Sequence, residues 1–457
     1  MTHKTSIRIL TGIGVILLVL GMIYAIALAK SMAKLRRAYA ALEKDGRLMR
    51  AAEVIPPVIA DTENAAVLYE SAASMLKAQP AGEKDLLGHL GGLAVSFVRG
   101  SLEPDKVPEL KLLMEQEVVA SALATIEQGT QRRACRFNRD YDAGFSMTMP
   151  MLSELRQLAS ILGVKACLEA EAGAPARAWA TLQTQLKFAD GLRDDPIFID
   201  QLVRMGLIRG SCQTIQRVCE IAPPGREDGG ALESLLRDLD AVTPLVRATD
   251  GERLLCGEWL FNLPKDELFA TVWKQMGSDK DYVPEIVHWV RFRMATFKPR
   301  LIADHAVYLE SMRKSAQWLE RPYAPEGPNA QEEIWDLAKG YMLTNMLVPA
   351  VERMKVIHCE MIAEVHVTRA GLALLRHRQA HSVFPQTLDD LGLRKLTDPF
   401  TQEPLHYRVE GDGFVVYSMG EDLKDNGGSA RQPKQRTDYD LVWRFPSLKG
   451  QTAVSER

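Results

Sequence analysis

Four carboxylates and an amide crowd a glycine-containing stretch near the C-terminal end: Asp422, Asp425, Asn426, Asp438 and Asp440, with Gly427 and Gly428 among them. Calcium is a hard ion that takes six to eight oxygens from carboxylates, amides and carbonyls, and a loop that curls can bring several of them to one centre. The spacing is not that of an EF-hand. Counted from Asp422, Lys424 falls where the third position needs an oxygen and Pro433 where the twelfth needs Glu. The same composition also describes a solvated turn. From these residues alone, ion site and plain loop both stay open.

Other groupings carry less. His358, His366, His377 and His381 are four of the nine histidines and share one Pro-free helical stretch. At 100° per residue His366, His377 and His381 lie on one face, but His366 and His377 are about 16 Å apart along the axis, too far for one ion. His377 and His381 could pair, yet Arg378 stands where a metalloprotease helix carries its glutamate. A solvated helix end is expected there. No P-loop, nucleophile elbow or kinase signature is present. Arg139, Asp140 and Asp142 flank Tyr141 and read as a polar surface turn, where one charge pair is worth little. The seven tryptophans are scattered, which fits core positions rather than a stacking platform. Six cysteines are sparse for a disulfide scaffold, and Cys212 and Cys219, one heptad apart, would sit about 10 Å from each other on a helix. Buried free thiols are expected, with room for one or two distant bridges in an exported body.

The acidic loop needs elements to hold it. Asp398-Pro399 starts a turn, Leu405 and Tyr407 alternate with polar neighbours, and Gly411-Asp412-Gly413 leads into Phe414-Val415-Val416-Tyr417, which predicts an antiparallel hairpin. After the loop, Asp440 to Phe445 returns as a strand. Before it, Val351, Met354, Ile357, Met361, Val365, Leu372 and Leu375 trace a helical stripe over Ala350 to His381 that should pack on the sheet. The order Asp-Pro-aromatic, Tyr, Tyr-Ser-x-Gly-x-Asp, Gly-Gly, Asp-hydrophobic, Trp, spread over about sixty residues from Phe384 to Phe445, resembles the C-terminal region of the major pseudopilin of type II secretion systems. That resemblance implies a long helix across an antiparallel sheet. It also implies a calcium ion held by Asp422, Asp440 and backbone near Met419. The insert Ser429 to Thr437 is longer than the compact loop of the family. The chain also lacks the Gly-Phe-Thr-Leu-x-Glu-like leader junction, and several hundred residues part its span from the module, so a standard pilus subunit is not expected.

Ile9 to Ala29 is uncharged over 21 residues, close to the ~20 that a helix needs to cross the hydrocarbon of a bilayer. A single uncleaved membrane anchor is expected, with a cleaved signal peptide as competitor because Ala27-Leu28-Ala29 fits a small-x-small site. Gly12-Ile13-Gly14 inside this run is no dinucleotide loop. Residues 1–50 hold nine Lys/Arg against Glu43 and Asp45, net +7; the overall charge of −3 leaves −10 for the remainder. Such an acidic body argues against nucleic acid as a partner. Lys30, Lys34, Arg36 and Arg37 after the span favour a cytoplasmic body by the positive-inside rule, whereas the pseudopilin resemblance implies a body outside the inner membrane. The expectation is inner membrane, single-pass, with a periplasmic body.

At 46% apolar and 25% charged residues the composition is that of a globular chain. The membrane helix should run on through Ser31 to Ala52 and stop at Ile55-Pro56-Pro57. Helical periodicity then dominates from Ala65 to Ala222 and from Ala231 to Leu319, passing through Leu260-Phe261 and Val287 to Trp289, with loops at Pro223 to Gly230 and Pro322 to Pro328 and a last helix over Ala330 to Leu347. Leu162 to Asp190, broken at Ala172-Gly173-Ala174-Pro175-Ala176, loosely resembles a tetratricopeptide-like helix pair. The fold class is therefore mainly α: anchor (1–30), juxtamembrane helix and linker (31–60), a helical bundle or irregular solenoid (61–348), a small α+β module (349–446) and a tail (447–457). A non-catalytic envelope protein with an interaction or scaffold role, contacting lipid through its first helix and protein partners through its body, is the expected function. The alternatives are a hydrolase with its site in the helical region and a cytoplasm-facing regulatory protein. A deep pocket of titratable groups with shifted pKa values would favour the hydrolase.

Overall fold

The computed structural model describes residues 3–446, apart from 83, 150, 240, 277–291, 295, 325–329, 394–395, 431–434 and 436–437. The expected helical pattern at Val287 to Trp289 lies outside the described residues, as does most of Pro322 to Pro328.

Helix α1 spans His3–Lys44 without a break, as its Ala-, Leu- and Lys-rich, Pro-free sequence favours. It stops well before Ala52 because Gly46 takes a φ of +69°. There Gly46 N donates to Glu43 O and Arg47 N to Leu42 O, the paired bonds of a glycine-closed helix end. A separate short helix, Ala51–Val54, ends at Ile55 in front of Pro56. Side chains from Leu10 to Ile26 are exposed, packing begins at Ala27, and Ala38 and Leu42 are buried. One apolar N-terminal helix long enough to cross a membrane is thus present among the described residues.

The body is built mainly of helices. α2 (Ala65–Lys77) is capped by the Asn64 side chain, which accepts from Ala66 N at 3.2 Å, and α3 (Leu86–Val98) by Asp85, which accepts from Gly88 N at 2.7 Å. Between Gly129 and Leu152 the chain runs mostly without regular structure. α4 (Leu152–Glu171) and α5 (Pro175–Ala189) pack together across a break at Ala172-Gly173-Ala174, with Pro175 at the first helical position. α6 (Phe198–Ile221) packs on both. The expected loop at Pro223 to Gly230 is shorter than its composition suggests, because a helix already begins at Arg226. Gly229 lies inside that helix where the Arg376 side chain passes, 2.9 Å from where a Cβ would stand. α7 (Thr243–Gly251) leads into a π-helical turn, Glu252–Gly257. α8 (Lys298–Glu320) lies along α1. The pattern over Ala330 to Leu347 resolves into two helices, Ala330–Ala338 and Met342–Leu347, parted by Gly340 at φ +82°.

α9 (Val351–His381) is the central element of the C-terminal part. β1 (His406–Glu410), β2 (Gly413–Ser418) and β3 (Leu441–Phe445) form an antiparallel sheet in that order. Glu410 pairs with Gly413 around the Gly411-Asp412 turn, and Phe414 pairs with Phe445. α9 lies against β2 and β3 on one side and α6 on another. Gly371 permits the approach to the sheet: a Cβ there would stand 2.0 Å from the Trp443 ring. The stripe predicted on α9 is buried apart from the half-buried Ile357, but so are Lys355, Glu360, Glu364, His366 and Arg369: Arg209 of α6 pairs with Glu360 and Glu364, the end of α8 takes the Lys355 ammonium, and Thr397 O meets His366. Mainly α with a terminal helix-on-sheet unit is therefore the observed architecture, and one apolar core runs from Ala38 to Trp443.

Candidate functional site

In the acidic loop the Asp422, Asp425 and Asp440 carboxylates are turned toward backbone amides. Asp440 is 2% exposed; Oδ2 accepts from Gly428 N at 2.7 Å and Ser429 N at 3.2 Å, and Oδ1 from Asn426 N at 3.3 Å. Burial raises the pKa of its carboxyl, opposed by those amide donors. Asp422 accepts from Lys424 N at 3.2 Å and Asp438 N at 2.8 Å, and Asp438 pairs with Lys424 Nζ at 3.0 Å. Asp425 Oδ1 accepts from Gly427 N and the Tyr417 hydroxyl, which hold its carboxyl below the usual range. Met419 N donates to Asp398 Oδ2 at 2.8 Å, while Asp398 Oδ1 accepts from Phe400 N and Ser418 Oγ, both at 2.9 Å.

As the residues stand, the carboxylates of the loop bond to the chain's own groups. The Asp422 and Asp440 oxygens serve two and three amides, a lysine ammonium pairs with Asp438, and among the described residues no group of three His, Cys, Asp or Glu side chains gathers at one point. Asp440 clamps Asn426 to Ser429 against the start of β3. Asp398, read from sequence only as a turn former, is fully buried and ties its turn to the end of β2. His377 and His381 stack at 4.2 Å on the helix end, and His366 Nδ1 meets Thr397 O at 2.7 Å. None of the four histidines shares a metal cluster among the described residues.

A larger constellation joins α1 to the body, and it brings together residues some 200 positions apart in sequence. Arg47 donates to Asp250 through Nε at 3.2 Å and Nη2 at 2.8 Å, to Val246 O at 3.0 Å and to Glu320 at 3.1 Å. Arg253, 1% exposed, joins Asp250, Glu258 and the carbonyl of Leu48. Tyr39 donates to Glu258 at 2.7 Å, and its phenol is pushed up by burial and then by that carboxylate. His305 lies 3.5 Å from the Tyr39 hydroxyl and stacks on Phe261 at 4.6 Å. Burial, and then the nearby Arg253, push its pKa down to about 4. On the outer side Arg313 bonds Asp45 at 2.8 Å and Glu310 at 2.7 Å. Comparison with family models, with curated proteins and with solved structures returned no match.

Asp140 and Asp142 are exposed, as a polar surface turn requires, but Arg139 turns inward. Arg139 is 4% exposed at its side chain and holds Asp200 through two bonds of 2.5 and 2.8 Å, with Asp195 at 3.6 Å. Burial raises both carboxyls while the guanidinium lowers them. Nearby, a pocket of 430 Å³ is lined by Glu252, Cys256 and Tyr308 on or beside the π turn, a feature often found at functional sites. Burial pushes the Cys256 thiol up, and Glu252 adds to it. A nucleophilic cysteine needs the opposite shift, supplied by a neighbouring cation or helix N-terminus. All six cysteines are free, five of them buried.

Proposed function

We propose that the chain is a non-catalytic, single-pass protein of the bacterial inner membrane whose helical body is an interaction scaffold fixed to its anchor. The observation that carries this reading is α1 itself, bare from Leu10 to Ile26 and packed from Ala27 onward along one unbroken helix. A cleaved leader would detach at the small-x-small site after Ala29, and Ala38, Tyr39 and Leu42 of the same helix fill places in the body. Those residues would stay with the body after a cut, so retention rests on the uncharged run of 21 residues from Ile9 to Ala29, long for a cleaved leader. The pocket at Glu252, Cys256 and Tyr308 gathers titratable groups that burial pushes up, and it is the observation that favours the alternative reading as a hydrolase.

A periplasmic body is favoured by the resemblance of Phe384 to Phe445 to the pseudopilin module, with the helix, hairpin and returning strand in the implied order. The basic flank after the span favours the cytoplasm, where a regulatory role would follow. A reporter active only after export, fused behind Arg457, tests this directly: exported signal is expected, and cytoplasmic signal alone overturns the placement. Intact mass of membrane-extracted protein tests the anchor, since a chain beginning at Lys30 overturns it.

A further inference from the structure

We propose that a groove at the foot of the span binds the headgroup of an anionic phospholipid from the bilayer that holds α1; this rests on reading α1 as a membrane anchor. The groove encloses 820 Å³, and α1 supplies one wall through Ala27 and Ser31, the first packed residues below the bare segment. Phe297 and Met294 line it while remaining 51% and 64% exposed. The Phe297 ring meets Tyr24, inside the apolar run, edge-on at 5.5 Å. That contact puts the lip of the groove at the level where the span leaves hydrocarbon.

Its polar lining has one sign. Among the described residues that line the groove, Arg293, Arg300 and Lys339 are the charged ones and none is a carboxylate. Arg300 is held in place by donating to Gly340 O at 2.7 Å, and on the adjoining face of α1 Lys34 lies over the Tyr341 ring at 5.3 Å. Cations beside an apolar lip continuous with the span suit a headgroup phosphate with its acyl chains running along Phe297 and Tyr24. A soluble peptide would have to enter the lipid to cover the same lip, so lipid is the occupant that fits both chemistries.

Native mass spectrometry of the full chain in neutral detergent, with equal phosphatidylglycerol or phosphatidylcholine added, tests the groove. Phosphatidylglycerol should be retained at least about tenfold better, and the exposed double change Arg293→Gln with Lys339→Gln should bring it to the phosphatidylcholine level. Lys111→Gln, paired to Glu171 elsewhere, should change nothing. Equal retention of the two lipids overturns the proposal, as does undiminished phosphatidylglycerol retention in a double variant with an unchanged melting point. So does inorganic phosphate that raises the melting point as much as the lipid does. Carbonate washing of membranes reads the anchor separately, so a chain released there with lipid preference intact would fail the anchor and not the groove.

Discussion

Replacing Asp440 by Ala should loosen the C-terminal sheet far more than replacing Asp422. Asp440 is buried and accepts three amide N–H groups; Gly428 N is itself buried, whereas Asn426 and Ser429 lie nearer the surface. An unsatisfied buried donor costs about 1–3 kcal/mol, and water can replace the outer two bonds only in part, so the loss is about 2–4 kcal/mol. At 1.4 kcal/mol per tenfold, hydrogen exchange of β2 and β3 amides in the full chain should accelerate by about 30- to 800-fold. Asp422 serves two amides at the loop rim, where water substitutes, and Asp422→Ala should cost under about 1 kcal/mol, roughly fivefold. The same measurement with millimolar calcium or with chelator should give equal rates for the unmutated chain. An ion held by the folded loop at a hundredfold above its Kd would instead add about 2.7 kcal/mol of protection. Such a gain, or an Asp422 variant as exposed to exchange as the Asp440 variant, would refute the amide-clamp reasoning and favour the ion that the pseudopilin resemblance implies.

Further outcomes follow from the joint and the core. His305 is neutral in the folded state, with its pKa lowered from 6.5 to about 4, so the unfolded chain binds more protons between those values. The stability it contributes is present above pH 6.5 and lost as pH falls toward 4, by up to about 3 kcal/mol, and His305→Gln should flatten that part of the pH–stability curve. Arg253→Ala leaves Asp250 and Glu258 short of a buried partner and should cost about 3–5 kcal/mol; limited proteolysis should then cut between Asp45 and Val54 before the body unfolds, and an unchanged cleavage pattern would deny that the network holds the joint. Arg139→Ala should destabilise by a similar amount in denaturant unfolding because Asp195 and Asp200 stay buried, whereas a cost under 1 kcal/mol would return it to the surface turn read from sequence. Gly371→Ala forces the Trp443 ring away from α9 and should cost about 1–3 kcal/mol, seen as a shifted Trp emission and a lower melting point.

The local signals were legible where one stretch of chain decides the outcome. The Gly411-Asp412 turn fixes the register of β1 and β2, and the uncharged run from Ile9 gives the exposed half of α1. Burial decided by distant partners was not. The stripe on α9 has polar residues between its apolar ones, yet Lys355 is buried because its ammonium closes the end of α8, donating to Leu319 O at 2.8 Å and to Arg321 O at 2.5 Å. Arg139 looks like a surface residue until Asp195 and Asp200 arrive from sixty residues away. The joint around Arg253 draws on α1, on the π turn and on α8, so no window of sequence contains it. For the acidic loop, composition supplied the oxygens and could not tell that the chain's own amides would use them.

The unbroken α1 has a mechanical consequence. From Ala27 to Lys44 it is packed for about 27 Å of its length, at 1.5 Å per residue, and the charged joint locks its lower end. With α1 as the proposed anchor, span and body turn together as a lever with its fulcrum in the bilayer. A bilayer thinner than the apolar run makes a helix tilt, and tilts of about 20° are ordinary. For a point about 30 Å from the fulcrum, such a tilt is a sideways swing of about 10 Å. Thickness of the surrounding lipid would then set where this protein's outer surface points.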